Sequence, residues 1–420
     1  MSVGESVDEA DALVGRALTS MYRVGNIVPP ASVAQIVDVV CEVVGARSGR
    51  LFVADYGLRS LREFGPDGPV GPSVVIEGTV AGRVFADGEI VAIGEGPTVL
   101  RVPLTDGSER IGILELDFDE WDGVPVVLSP VVLVLVSVLV TKSRYTDAWV
   151  RCRRAERMSA AAEVQWDLLP PLAASCDDVA VAGILEPAYS IGGDSFDYAL
   201  NQKRLQFAIV DAMGHGMSAV LMSAAAIAGL RNVRREGGRL VDAYELVDRL
   251  LIEHFGDSRY VTGQFGSLDY KSGILHWINA GHPLPLLVRN GTFVGALSCQ
   301  PSLPMGLGGT VVQVADEPLQ RGDRVLFYTD GITESRSADG DLFGGERLAD
   351  YLVRAALDGV PVAETVRRLS ANVLSFVGGG LSDDASMFLL EYHGPRTADA
   401  DSAETSVAWT SAQADRRKHR

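Results

Sequence analysis

The stretch "IGGDSFDYALNQKRLQFAIVDAMGHG", Ile191 to Gly216, decides the fold of the larger part of this chain. A glycine pair precedes Asp194, the apolar run "LQFAIV" leads into Asp211, and small residues beginning with Ala212 follow. Glycine permits sharp turns, and small residues let main-chain carbonyls approach a bound ion. Two interpretations are open at this point: a pair of structural turns, or a metal site at the ends of two strands.

Acidic residues recur in the same setting further along the chain. Asp194 follows the strand candidate "VAVAGILEPAYS", Asp330 follows "RVLFYT", and Asp383 and Asp384 precede "ASMFLLEY". Aspartates at the ends of adjacent antiparallel strands can collect at one sheet edge, where their mutual repulsion disfavours ionisation and a divalent cation relieves it. All candidate ligands are oxygen atoms, which favours Mg²⁺ or Mn²⁺ over zinc. Two such ions sharing a water suit phosphate-ester hydrolysis.

Composition places the chain among ordinary globular proteins and excludes some partners. Its 420 residues are 47% apolar and 22% charged, enough for two or three domains, and the formal net charge of −18 argues against nucleic-acid binding. The four scattered cysteines fit reduced thiols, and the acidic first residues do not resemble a signal peptide. These features predict a cytoplasmic protein.

One apolar run raises the question of a membrane span. The stretch "VPVVLSPVVLVLVSVLV", Val124 to Val140, is shorter than the roughly 20 residues that a spanning helix needs, and it contains two prolines. The pattern favours a buried strand or helix that closes the first domain.

Hydrophobic periodicity divides the chain into four segments. Residues 1–140 begin with helical patterns over 8–22 and 33–44. Strand candidates follow, one of them spanning residues 73–94, and Asp-Gly pairs at 67–68, 87–88 and 106–107 are read as hairpin turns. Residues 141–169 are predicted to form a linker helix that ends at two prolines. Residues 170–393 alternate strands with two apolar helical runs, 217–231 and 240–255, and a helical region over 346–376 that is predicted to break near Gly359. This alternation indicates an antiparallel sheet system with helices outside. The polar tail, 394–420, is predicted to be disordered.

The first segment resembles the GAF family through "GTVAGRVF" and "RVPLTDGSERIGILEL". The resemblance implies an α+β sensor or regulatory domain; a dimerising domain with an empty pocket is equally compatible. The helix between this domain and the next is interpreted either as a lever or homodimer contact, or as a solvated linker.

The region from "EVQWDLLPP" to "FLLEY" resembles the PPM (protein phosphatase 2C) superfamily in its bacterial RsbU/SpoIIE branch. The matching motifs, in order, are "GGDSFD", "VDAMGHG", "NAGHPLPLL", "PMGL", "GDRVLFYTDGITES", "LFGGERL" and "SDDAS". The resemblance implies an antiparallel β-sandwich flanked by helices, a centre of two Mn²⁺ or Mg²⁺ ions, and hydrolysis of phosphoserine and phosphothreonine. It also implies a partner, a phosphorylated STAS-type anti-sigma-factor antagonist, and hence a role in sigma-factor regulation.

The resemblance also implies roles for single residues. Asp194 corresponds to a ligand of one ion, Asp211 to the carboxylate bridging both, and Ala212 to a carbonyl ligand. Asp330 and Asp383 correspond to ligands of the other ion. Two further carboxylates are expected to support these ligands without binding an ion: Asp197, which would support Asp194, and Asp384.

Two histidines invite a catalytic interpretation. In the eukaryotic branch the motif is D-G-H-G, but this chain has Met213 at the histidine position. His215 is therefore interpreted as structural or helix-starting, with a proton-donor role left open. His282, in "NAGHP", is predicted to hold a turn.

Two other functions compete with the phosphatase. "GGDSF" resembles the GG[DE]EF loop of nucleotide cyclases, but Ser195 replaces the second acidic residue. A pseudophosphatase, acting as a scaffold that binds partners without catalysis, also fits the motifs. Hydrolysis of p-nitrophenyl phosphate with Mn²⁺, abolished by Asp211→Ala, would separate the enzyme from both.

Overall fold

A computed structural model describes residues 3–29, 32, 35–94, 97–190, 192–378, 380–381 and 383–395, with side chains described from residue 12 onward. The predicted disordered tail, apart from residues 394 and 395, lies outside the described residues. The helices are α1 (Val3–Ile27), α2 (Ile36–Val44), α3 (Val80–Asp87), α4 (Leu128–Ser143), α5 (Asp147–Arg153), α6 (Ala160–Leu168), α7 (Met217–Arg235), α8 (Leu240–Phe255), α9 (Asp330–Thr333), α10 (Gly344–Leu357) and α11 (Val362–Val377).

The strands form three antiparallel sheets. They are β1 (Ser48–Ala54), β2 (Ser60–Gly65), β3 (Gly68–Val75), β4 (Val91–Ile93), β5 (Thr98–Asp106), β6 (Glu109–Phe118), β7 (Ala173–Ser175), β8 (Val179–Glu186), β9 (Asp194–Leu200), β10 (Arg204–Ala212), β11 (Val261–Asp269), β12 (Ile274–Ala280), β13 (Leu286–Arg289), β14 (Thr292–Ala296), β15 (Ala315–Pro318), β16 (Arg324–Tyr328) and β17 (Ala385–Tyr392).

The N-terminal segment is an α+β unit, as predicted. Its six strands pair in the order β3-β2-β1-β6-β5-β4. The predicted strand over residues 80–87 is wrong, because these residues form α3, whose first turn is capped by the Thr79 hydroxyl accepting from the Gly82 amide at 3.0 Å. Gly88 ends this helix in the left-handed conformation, so the Asp-Gly pair at 87–88 is a helix end and not a hairpin. The likeness to GAF domains stays a prediction.

The apolar run near residue 130 forms α4, which lies in the core of this unit. Leu128, Val131, Leu135 and Leu139 are all buried, as expected for a helix that closes the first domain. No single helix among the described residues is long and apolar enough to cross a bilayer, and α4 and α5 reach the necessary length only jointly, as a pair bent by 104°.

The single linker helix predicted over 141–169 is also wrong. Helix α4 ends at Ser143, and two shorter helices, α5 and α6, follow. Thr146 and Ser159 begin these helices from extended backbone, and their hydroxyls accept from Ala148 N at 3.2 Å and Ala162 N at 3.1 Å. Both residues cap new helices, and α5 is bent by 104° from α4 where uninterrupted helix was expected.

Two sheets pack face to face in the larger unit. One has the order β15-β12-β11-β10-β9 and the other β14-β13-β16-β17-β8-β7. Phe207 of the first sheet stacks on Phe388 of the second with ring centroids 5.4 Å apart, so these side chains lie in the interior. Helices α7 and α8 cover the outer face of the first sheet, and α10 and α11 cover the second. The predicted antiparallel β-sandwich flanked by helices is confirmed.

Candidate active site

Asp194 and Asp211 lie side by side at one end of the first sheet. In the β9–β10 pairing they are directly opposite each other, so both side chains point to the same face, toward the second sheet. Asp194 is 1% exposed, and its Oδ2 accepts from the Thr329 hydroxyl at 2.7 Å. Thr329 Oγ1 in turn accepts from the Ser386 amide at 2.8 Å. Residues from both sheets thus converge on the Asp194 carboxylate.

A cleft of about 740 Å³ opens beside this pair. It is lined by the predicted carboxylates of Asp211, Asp330, Asp383 and Asp384, whereas Asp194 is buried beside Asp211 and does not line it. Asp330 is the first residue of α9, and Asp383 and Asp384 directly precede β17. The second sheet therefore delivers three carboxylates to the cleft and the first sheet delivers one.

Four of the predicted carboxylates resist ionisation in the absence of a cation: Asp194, Asp211, Asp330 and Asp384. Burial raises the pKa of Asp211 to about 7, helped by the neighbouring charges of Asp330, Asp383 and Asp384. Burial, with the charge of Asp211, raises the pKa of Asp194 well above its usual value, and burial also raises the pKa of Asp330 and of Asp384. A divalent cation would restore the ionised forms.

The donor set fits a hard cation in its chemistry, since every candidate ligand is an anionic or carbonyl oxygen. In the described part of the chain, no group of three or more His, Cys, Asp or Glu residues is spaced to hold an ion as the side chains stand. Asp383 is exposed, and its Oδ1 accepts from the Asp384 amide at 2.9 Å. Binding would therefore require rotation of carboxylates such as this one toward Asp211.

The glycine pair before Asp194 has a role that the turn interpretation missed. The amides of Gly192 and Gly193 both donate to the Asp384 carboxylate, Gly192 at 2.8 Å. A Cβ on Gly193 would lie 2.4 Å from the Ala212 carbonyl oxygen, and one on Gly192 would lie 2.7 Å from Asp384 Oδ2. Gly193 therefore requires glycine, because the neighbouring oxygen belongs to the backbone, whereas the oxygen beside Gly192 belongs to a side chain that can shift.

Asp197 does not support Asp194 as expected. Successive side chains of a strand alternate between its faces, so residues three apart point to opposite sides of the sheet. The Asp197 carboxylate is 2% exposed and accepts from Arg231 at 2.7 Å and Arg234 at 2.6 Å, both on α7. It attaches α7 to the outer face of the first sheet.

His282 occupies a buried turn, in agreement with the predicted role. The Asn279 side chain bonds both backbone groups of His282, at 2.7 and 3.0 Å, and Nδ1 of His282 is 2.9 Å from the hydroxyl of Thr262, a cleft residue opposite Asp211. Burial lowers the pKa of His282 to about 3, so the ring is neutral. His215 is exposed in the cleft wall, two residues before α7, and both of its interpretations remain open.

Two residues that contact the predicted ligands were missed. Thr329 holds Asp194, and Thr262 pairs across the ladder with Asp211. Thr329 lies inside the quoted motif "GDRVLFYTDGITES", directly before Asp330, so its position carried a signal. Thr262 is separated from the aspartates in sequence and carried none.

The sandwich is similar to known proteins in sequence. Residues 201–393 match the family model described as Stage II sporulation protein E (SpoIIE). The chain is 26% identical over 219 residues to Protein IcfG of Synechocystis sp., covering 45% of this chain and 34% of IcfG. It is 22% identical over 185 residues to phosphoserine phosphatase RsbU of Bacillus subtilis, covering 43% of this chain and 55% of RsbU.

Among solved structures, the RsbU and RsbW domains of Rv1364c from Mycobacterium tuberculosis align with a TM-score of 0.44 and 30% identity, over 52% of this chain and 61% of that chain. The chain spans between a third and just over half of the length of these two curated relatives.

Proposed function

We propose that this chain, which over residues 201–393 belongs to the SpoIIE family of phosphatase domains, is a metal-dependent protein serine/threonine phosphatase. The observation that carries the proposal is that four carboxylates from both sheets line one cleft beside the buried Asp194, and that the pKa values of Asp194, Asp211, Asp330 and Asp384 are raised. A cluster of this kind is unfavourable without cations and is typical of sites built to hold them.

Five residues would hold two Mn²⁺ or Mg²⁺ ions in this proposal. Asp211 would bridge them, Asp194 and the Ala212 carbonyl would bind one, and Asp330 and Asp383 would bind the other. Bound ions supply counter-charge to a phosphoryl group and lower the pKa of a water nucleophile. Asp211 and Asp194 are the proposed catalytic carboxylates.

The surrounding residues orient these ligands. The Thr329 hydroxyl directs the Asp194 carboxylate, and Gly193 leaves space for the Ala212 carbonyl. Asp384, held by two backbone amides, stays beside the ligands as a supporting carboxylate. Such supporting contacts tune ligand orientation and metal affinity.

The test is phosphatase activity on p-nitrophenyl phosphate and on a phosphoserine protein, with Mn²⁺, with Mg²⁺ and with EDTA. We expect ion-dependent hydrolysis by the wild type, lost in Asp211→Asn. Asp316→Asn is the matched control, because Asp316 is an exposed sandwich carboxylate paired with His276 at 2.5 Å, outside the cleft-lining set. A wild type that is inactive on all substrates with either ion would favour the pseudophosphatase.

We propose as substrate a phosphorylated STAS-type anti-sigma-factor antagonist. The support is the family of residues 201–393 and the likeness to RsbU, itself named a phosphoserine phosphatase. Dephosphorylation of a panel of phosphorylated STAS proteins and of unrelated phosphoproteins tests this. Equal rates on both groups would contradict the substrate class.

The N-terminal domain is proposed to regulate the site through the segment that leads to Gly192. Glu186, at the end of β8, is 2.5 Å from Arg59 of the N-terminal unit and accepts from the Ser370 hydroxyl at 3.0 Å. Tyr189 donates to Asp55 at 3.3 Å. Because this short segment continues to the glycines that hold Asp384, movement at the interface can shift the cleft carboxylates.

Arg59→Ala tests this regulation with Arg47→Ala as control, since Arg47 pairs with the exposed Asp119 inside the N-terminal unit. We expect Arg59→Ala to change the Mn²⁺ concentration needed for half-maximal activity several-fold, and Arg47→Ala to leave it unchanged. Identical activation curves for Arg59→Ala and the wild type would contradict coupling through this contact.

A homodimer through the N-terminal domain is the remaining proposal on partners. Tyr22 and Ile27 on α1 and Leu133 on α4 are large apolar side chains that the structure leaves exposed, on two helices that pack together. Light scattering after size-exclusion chromatography should give the mass of a dimer for the wild type and of a monomer for Leu133→Lys. A monomeric wild type at micromolar concentration would contradict it.

A further inference from the structure

The cleft has a charge imbalance with respect to a phosphorylated substrate. Four carboxylates line it, and no lysine or arginine is present among the described residues of its wall. A phosphomonoester carries close to two negative charges at neutral pH, so the cleft repels it unless cations intervene. Bound ions would offset part of this repulsion. A guanidinium group adds paired N–H donors that match phosphoryl oxygens.

Arg259 stands next to the wall of the cleft. The β10–β11 ladder ends with Ala212 opposite Val261, and the Met213 amide extends it by donating to the Tyr260 carbonyl at 3.0 Å. Arg259 directly precedes Tyr260, just outside β11. Its guanidinium lies by Gly214, a cleft-lining residue, where an added Cβ would be 3.8 Å from Nη1.

The backbone of Arg259 is held by contacts with neighbouring backbone groups, whereas its side chain lies exposed. Its amide donates to the Gly256 carbonyl at 3.4 Å, and its own carbonyl oxygen packs so closely on Gly306 that an added Cβ there would be 2.5 Å away. The side chain is exposed, and among the described residues its guanidinium forms no hydrogen bond or ion pair. In contrast, Arg231 and Arg234 on α7 are both bound to a carboxylate.

Other exposed arginines, such as Arg249, also lack an ion pair among the described residues. What sets Arg259 apart from Arg249 is its place beside a cleft lined by four carboxylates. A cation that stays unpaired at the edge of an acidic cleft, on a fixed backbone, is available to an anion that enters the cleft.

We propose that Arg259 binds the phosphoryl group of the substrate at the mouth of the cleft. The inference rests on the proposed phosphatase function and deepens it, because it assigns a substrate-binding cation in addition to the proposed ion ligands. The contact is to the phosphoryl oxygens, so it applies to any phosphomonoester and not to one protein partner.

The experiment compares wild type, Arg259→Ala, Arg259→Gln and Arg259→Lys, with Arg249→Ala as control. Arg249 is an exposed arginine on α8, outside the cleft-lining set, that likewise forms no ion pair within the described structure. Kinetics on p-nitrophenyl phosphate and on a phosphoserine protein are measured in Mn²⁺, together with the inhibition constant of inorganic phosphate. Isothermal titration of inorganic phosphate in Mg²⁺ adds a readout that needs no turnover.

For Arg259→Ala and Arg259→Gln we expect kcat/KM to fall roughly 10- to 100-fold on both substrates, the size of one charge-assisted contact. Phosphate should bind more weakly by a similar factor, Arg259→Lys should retain part of the affinity, and Arg249→Ala should match the wild type. A merely structural role would lower the thermal midpoint without this selective loss of phosphate affinity.

Unchanged phosphate affinity in Arg259→Ala and Arg259→Gln would overturn the proposal. So would a loss confined to the phosphoprotein, which would assign Arg259 to the protein surface and not to the phosphoryl group. An inactive wild type would contradict the proposed phosphatase function. The titration with inorganic phosphate needs no turnover, so it would still test whether Arg259 binds a phosphoryl group.

Discussion

Replacing Asp197 by Asn separates two explanations of the buried carboxylate in β9. The sequence suggested that Asp197 supports Asp194; the structure shows it between Arg231 and Arg234, with all three side chains at least three-quarters buried. Removing one member of a buried ion pair leaves uncompensated charge and costs about 3–5 kcal/mol. Because both arginines retain some solvent contact, we expect about 3 kcal/mol for Asp197→Asn.

The assay is thermal unfolding of the full chain without divalent ions, paired with a measured Mn²⁺ affinity. For a domain of this size each kcal/mol lowers the midpoint by roughly 2–4 °C, so the sandwich transition should fall by about 6–12 °C. The control Asp316→Asn removes an exposed carboxylate from the same sandwich, where an ion pair contributes at most about 1 kcal/mol.

The opposite pattern would refute the reasoning. If Asp197→Asn kept the wild-type midpoint but lost Mn²⁺ affinity 10- to 100-fold, as removal of a ligand-supporting group does, Asp197 would act on the metal site after all.

Three further outcomes follow from other contacts. Gly193→Ala should abolish phosphatase activity, because the added Cβ would lie 2.4 Å from the Ala212 carbonyl oxygen. Gly345→Ala should preserve activity, because a Cβ added there would have no atom within 4 Å. Activity in both variants would contradict the proposed close approach at Gly193. Burial alone would raise the pKa of Glu364, but hydrogen bonds and charge from neighbouring arginines lower it to about 2. The stabilising effect of the Glu364 carboxylate is therefore present above about pH 4.5 and is lost as the pH falls toward 2. The thermal unfolding midpoints of wild type and Glu364→Gln should differ at pH 7 and converge near pH 2, and a difference that stays constant with pH would contradict this. Thr329→Val should weaken Mn²⁺ binding about 10-fold by removing the donor to Asp194, with Thr329→Ser restoring it, and equal calorimetric affinities would refute the role.

Sequence reasoning succeeded where local pattern and geometry agree. Helix α8 was predicted with its observed bounds, and the break between α10 and α11 was predicted near Gly359, because apolar periodicity and glycine or proline signals act within one turn of the chain. It failed at α3, where eight residues with strand-like composition became a helix once the Thr79 hydroxyl capped them. The misassigned support from Asp197 had a signal in the sequence, since strand alternation separates it from Asp194.

By itself, the sequence determined that aspartates stand at the ends of strands in an antiparallel sheet system, because strand alternation and turn chemistry are local properties. Only the tertiary structure decided which of them meet. Asp384 reaches the amide of Gly192 across 192 residues, and the Thr329 hydroxyl reaches Asp194 across 135. These contacts depend on how two sheets pack through their buried aromatic layer, and no local pattern specifies that packing. The placement of Arg259 beside the cleft has the same origin, in the pairing of β10 with β11.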